Sequence, residues 1–211
     1  MISTFTDLLP YIMPRLRSCP ENLAALALRE VSRLFFGVTE VWQKGLEPID
    51  IIENVGQYAL DPAERPGSGE NEPEIRRIFR VRISGSEQSS STYSLTPNTL
   101  VPSTTTYSIT FGDAYVPTTS SEGGLEVDVV LVPDWNSAYL PTYHRNRWGE
   151  ALVAGTLARL QLQDGVPWAN PNEGREEREK FYGFVSTAIK ERYTGRVGGT
   201  LQAGSPHVFD I

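Results

Sequence analysis

Side chains able to make bonds or hold a metal are few in this sequence, and their spacing forms none of the familiar catalytic devices. The two histidines, His144 and His207, and the single cysteine, Cys19, stand far apart in the chain. A zinc site draws about four ligands, typically from His and Cys, and HExxH, CxxC and His-x-His are all missing. The nucleophile elbow Gly-x-Ser-x-Gly is also missing. Gly67-Ser68-Gly69 lies in an acidic stretch without the strand, turn and helix that an elbow needs. Neither a P-loop nor GxGxxG occurs. Paired carboxylates would suit glycoside hydrolysis, with Glu126 and Asp128, or Asp134, as candidates. Glu126 and Asp128 alternate with Val127 and Val129, however, and that period of two predicts the wet face of a half-buried strand. Cys19 precedes a predicted helix, where a thiol can be acidified, yet a free cysteine more often packs as a small hydrophobe. Trp42, Trp135, Trp148 and Trp168 could stack on sugars, but they flank elements, where amphipathic rings commonly seal a core edge. The expectation is a chain with no catalytic centre, no metal and no cofactor.

The totals narrow the partners. The 211 residues, 39% of them hydrophobic, suffice for one compact core carrying an insertion. Nineteen basic residues against 26 acidic ones give a formal charge of −7. A protein that grips DNA through its phosphates normally carries a basic excess, so specific DNA binding is not expected. One cysteine allows no intrachain disulfide. The first residues lack the basic and apolar pattern of a signal peptide, and no apolar run reaches about 18 residues. The chain is expected to be made in a reducing cytoplasm and to have no membrane partner.

Helical ends enclose a β-rich middle. Pro10 and Pro14 limit residues 4 to 17 to a helical turn or two. Ser18, Pro20 and Glu21 read as N-cap, first turn and N3 of a capping box. The helix they open runs to about Phe36, or on to Trp42, with Leu23, Leu26, Ala27, Val31, Leu34, Phe35, Val38 and Trp42 on its core stripe. Ile49, Ile51, Ile52, Val55 and Tyr58 favour strands, and Gly56 allows a bend. Residues 61 to 74, with three prolines, two glycines and five acids, predict a solvated loop. Alternation predicts strands through Phe79, Val81 and Ile83, through Tyr107, Ile109 and Phe111, and through Leu125, Val127, Val129 and Leu131. The Ser/Thr-rich stretch from Ser84 to Thr106 suggests an exposed excursion, such as a hairpin arm.

Helix returns from Pro141 to Leu162, ended by Gly165 and Pro167. There Ala151, Ala154, Gly155 and Ala158 make a small-residue face that a second helix can approach closely. A last helix from about Asn172 to Tyr193 has glutamates at its start and Lys190 and Arg192 at its end, as the helix dipole favours. Phe181, Val185, Ala188, Ile189 and Arg192 follow heptad-like spacing. The fold class expected is α+β: a bundle of N- and C-terminal helices with an inserted antiparallel β domain and an extended C-terminal tail. The division is 1–45, 46–134, 135–194 and 195–211. The glycine-rich tail carries apolar Leu201, Val208, Phe209 and Ile211 beside His207, which suits docking on a partner.

The order of these pieces resembles the head-to-tail adaptor (neck or connector) proteins of tailed bacteriophages, especially the short-tailed type. The likeness rests on three stretches. The first runs from Leu9-Pro10-Tyr11 through Cys19-Pro20 and Arg29-Glu30 to Phe35-Phe36 and Trp42. The second is Val127-Val129-Leu131 closing on Val132-Pro133, with Leu140-Pro141 after it. The third is Trp148-Gly149-Glu150-Ala151-Leu152, Gly155 to Leu160, Pro167-Trp168-Ala169-Asn170-Pro171 and the aromatic pair Phe181-Tyr182. It is a likeness of pattern, and residues 84 to 124 take no part in it.

The resemblance implies a structural subunit of the virion, assembled in the host cytoplasm and repeated about twelve times in a ring that joins the portal protein to a tail nozzle or other tail protein. It makes Leu201, His207, Val208, Phe209 and Ile211 the candidate portal-binding residues. Seventeen residues extend to at most about 55–60 Å, far enough to cross a subunit boundary. Ring neighbours would make heterologous contacts that close on themselves, and copies charged −7 each would let DNA slide through without binding. Two alternatives differ in kind: a neck-associated peptidoglycan hydrolase, which needs two convergent carboxylates, and a β module that binds carbohydrate or another tail protein.

Overall fold

A computed structural model describes residues 2–62, 73–101, 104–135 and 139–196. The chain opens with a short strand, β1 (Ile2–Thr4), and a run of tight helical turns over Phe5–Leu8, Leu9–Ile12 (α1) and Met13–Arg15. Pro10 and Pro14 each stand at the start of a turn, where the missing N–H costs nothing, and no longer helix forms. Phe5, Leu8, Leu9, Ile12 and Leu16 are buried, so these turns form a wall of the core.

Helix α2 (Glu21–Thr39) is the first long element. Its expected cap is not there. Pro20 is the extended N-cap residue and supplies no side-chain hydrogen bond, while Ser18 sits at φ 66° in the preceding loop. Two residues too early in the chain, Ser18 cannot reach the first free amides. The buried stripe is Ala24, Ala27, Leu28, Val31, Phe35 and Phe36, whereas Leu26, Leu34 and Val38 are more than 40% exposed. That corrects the expected core stripe at three positions. The helix ends at Glu40, in the left-handed region at φ 52°, and Trp42 is buried beyond it.

The middle of the chain forms two antiparallel sheets. In the first, β9 (Ser121–Val132) is central. One of its edges pairs with β2 (Gln43–Gly45) and then β3 (Ile49–Ile51). The other pairs with β5 (Glu74–Ile83), which carries β6 (Ser86–Glu87). The second sheet has the order β4 (Gln57–Leu60), β8 (Thr104–Phe111), β7 (Tyr93–Val101). Alternation holds in β9, where Leu125, Val127, Val129 and Leu131 are buried. Near its end Val130 and Val132 are buried too, so both faces are covered there. Strand β5 starts five residues before Phe79, and two irregularities, between Ile75 and Arg77 and between Ile78 and Arg80, break its period. The Ser/Thr-rich excursion is largely the β7–β8 hairpin, whose register runs from Tyr93↔Phe111 to Val101↔Thr104. The acidic loop lies mostly outside the described residues.

Strand β10 (Tyr139–Pro141) pairs with β1 and brings the chain's first residues against the start of α3 (Thr142–Gln161). Helix α4 (Pro171–Arg196) follows. The Asn170 side chain accepts from the Glu173 amide at 3.4 Å and donates to the Glu173 carboxylate at 2.9 Å, a reciprocal cap. The helix continues past Tyr193 to Arg196, so Gly195 does not end it. The three long helices meet at Gly155. A Cβ there would lie 2.6 Å from Val31 Cγ1 of α2 and 2.7 Å from Phe181 Cδ2 of α4. Arg33 joins helix to sheet, donating to both Glu74 oxygens at 2.8 and 2.9 Å. The Glu40 carboxylate accepts from Arg77 of β5 at 2.6 Å and from Arg192 of α4 at 2.5 Å. One continuous core runs from Phe5 to Ala188 through helices and sheets alike. The class is α+β.

Candidate functional site

Several candidates from the sequence have bland surroundings. Glu126 and Asp128 are bound to Arg82 and Arg80 of the neighbouring strand, an ion-pair ladder on the wet face of the sheet. Cys19 is buried at 5% exposure, and burial pushes its thiol up, away from reactivity. Trp42 and Trp148 are core residues, and Trp168 is half-buried. Trp135 is the exception. It is 53% exposed, with the Arg33 guanidinium 4.4 Å from its ring centre, so it does not seal the core as expected. Among the described residues, no three His, Cys, Asp or Glu side chains cluster to hold a metal. No described helix is long and apolar enough to cross a membrane. Leu201, His207, Val208, Phe209 and Ile211, the candidate portal-binding residues, lie outside the described residues.

His144 is buried on the third residue of α3, against Phe36 and Trp42, with ring centroids 5.2 and 5.3 Å away, and beside exposed Tyr143 at 5.4 Å. Burial in this aromatic surround lowers its pKa to about 4, so the ring is neutral at pH 7. Its Nδ1 has no hydrogen-bond partner among the described residues. The ring therefore acts as a packing group where the bundle meets the first sheet.

A groove of about 590 Å3 lies between the N-terminal turns, α3 and α4. Leu8, Val153, Ala154 and Phe184 supply its apolar lining, and Gly149 keeps it open above Leu8, whose Cδ2 a Cβ would meet at 3.4 Å. Around them stand Asp7, Arg15, Arg145, Glu150, Glu177 and Lys180, with Tyr11, 67% exposed, projecting at the edge.

The groove's cations are already engaged. Arg145 donates to Asp7 at 2.9 Å. The Thr4 hydroxyl, joined by that guanidinium, holds the Asp7 carboxyl below its ordinary range. Arg15 bridges Glu173 and Glu177, and Lys180 meets Glu177 at 2.6 Å. Burial alone would raise the Glu177 carboxyl, but Lys180 and Arg15 outweigh it and keep it ionised. Glu150 is different. It is exposed and has no ion-pair partner among the described residues.

Each charged group of the groove except Glu150 thus has a fixed counter-charge beside it. Gly149 and Glu150 were legible as helical residues between Trp148 and Ala151, but nothing in their spacing signals that they border a groove. Its other wall comes from residues near position 10, which no local periodicity links to α3. The sequence matches no family model, and no curated protein is significantly similar to it.

Proposed function

We infer that this chain is a structural subunit of the neck of a tailed bacteriophage, forming a ring that joins the portal to the tail and surrounds the DNA passage. The observation that carries the reading is the set of large apolar side chains left exposed on well-packed helices: Leu26, Leu34 and Val38 on α2, Tyr143 on α3, Tyr182 and Tyr193 on α4. A rigid bundle that leaves such groups in water on several sides is suited to burying them against other subunits. The helices flank a β insertion, the order of pieces on which the resemblance to adaptor proteins rests; the β7–β8 hairpin lies in the stretch that takes no part in it. A net charge of −7 per copy favours a conduit that repels DNA over one that binds it.

Of the carboxylates the hydrolase alternative could use, Glu126 and Asp128 are paired with Arg82 and Arg80, which makes that reading the weaker one. Native mass spectrometry of the full chain, alone and with an assembled portal from the same phage, tests the proposal. The expected result is a closed ring of defined copy number, about twelve, on the portal. A chain that stays solitary with the portal present, or turns over a cell-wall substrate, would overturn it.

A further inference from the structure

We propose that neighbouring copies of this chain join through the two opposite flanks of α4: the flank bearing Arg175, Arg178 and Tyr182 on one copy enters the groove edged by Tyr11 and Glu150 on the next. This rests on the ring reading and adds to it the surface that would build the ring.

The placement follows from helix geometry. At 3.6 residues per turn, successive residues are separated by about 100° around the axis. Lys180 and Phe184 line the groove on one flank of α4. Arg178 and Tyr182 then lie about 200° from Lys180 in either direction along the chain, on the far flank, and Arg175 falls beside Tyr182. All three are exposed. Neither arginine has an ion-pair partner among the described residues, unlike Arg15, Arg145 and Arg147 on the groove side. Glu176 and Glu179 occupy the back of the helix between the flanks.

Charge selects the occupant. The far flank offers two unpaired cations around an aromatic ring that is 49% exposed. The groove offers an apolar floor, a second exposed tyrosine and one unpaired anion, Glu150. Two far flanks meeting about a twofold axis would set arginine against arginine, which is repulsive. Flank against groove pairs opposite charges and buries tyrosine on apolar surface. Because the two surfaces lie on opposite sides of one helix, the contact is head-to-tail, and repetition makes a ring or a filament rather than a closed dimer. The exposed leucines of α2 have no comparable charge signature, so nothing identifies what covers them.

Charge exchange on the full chain tests this. Arg178→Glu and Glu150→Arg, each alone and together, would be compared with the parent for self-association by sedimentation and for copies bound per portal by native mass. Thermal melts would verify that each variant folds like the parent. Each single exchange is expected to weaken association by about tenfold or more, and the double exchange to recover most of the loss. If the parent forms rings and the single variants form them equally well, or the double does not recover, this surface is wrong while the ring reading stands. If the parent itself never associates, with or without portal, both fall.

Discussion

His144 shows how one side chain can tie stability to pH without taking part in any reaction. Its folded pKa of about 4 lies below the ordinary 6.5, because the buried aromatic surround disfavours the imidazolium. The unfolded chain therefore binds a proton between pH 6.5 and 4 that the folded chain refuses. Stability from this site is complete above pH 6.5 and drains away as pH falls toward 4. The shift corresponds to at most about 3 kcal/mol. Urea titrations of the parent at pH 7 and pH 4.5 should show this loss on top of the general acid effect. In His144→Phe, which keeps an aromatic ring and has nothing to protonate, the difference between the two pH values should shrink by about 2 kcal/mol. An equal loss in parent and variant would remove His144 from the account.

At the scale of elements, Gly155 is where the bundle is most tightly drawn, since α2 and α4 both crowd the position a Cβ would take. Both neighbours, Val31 and Phe181, are themselves buried. Gly155→Ala should gain helix propensity yet lose more through overpacking, with a net destabilisation of about 1–3 kcal/mol, read as a lowered midpoint in thermal or urea unfolding. Ala158→Gly on the same helix would lose propensity without creating a clash and serves as the contrast. This small-residue face was legible in the sequence because a period of 3.6 is local information. So were α3, α4 and β9, whose buried residues follow a period of two from Leu125 to Val129. What could not be read was set by neighbours distant in sequence. The irregularities in β5 become visible only against β9. The exposure of Leu26, Leu34 and Val38 depends on which side of α2 the rest of the bundle occupies. Pairing of β1 with β10 links residues more than 130 apart, and the groove exists because that pairing lays the N-terminal turns across α3. Ser18 failed as a cap for a local reason: a proline at position 20 takes the N-cap site in extended backbone, leaving Ser18 to turn the chain.

For the whole molecule, the described fold and the proposed partner contacts are separable, and removing residues 197–211 would separate them. The last core residue of α4 is Ala188, and Arg192 anchors the helix to Glu40 one turn later. On the docking reading the tail packs on a partner rather than on its own core, so a chain ending at Arg196 should unfold with a midpoint within about 2 °C of the parent, the shift of a change well under 1 kcal/mol. The segment removed contains Leu201, His207, Val208, Phe209 and Ile211, apolar groups that gain by being buried on a partner. If they dock on the portal, capture by an immobilised portal should fall by about a hundredfold or more, since losing two or three buried side chains from an interface removes several kcal/mol. Self-association of the free chain should be unchanged, because the proposed contact between copies uses α4 and the groove. A truncated chain that binds portal like the parent but no longer associates with itself would move the tail from the portal to the neighbouring subunit. One that does both like the parent would leave these five residues with no part in assembly.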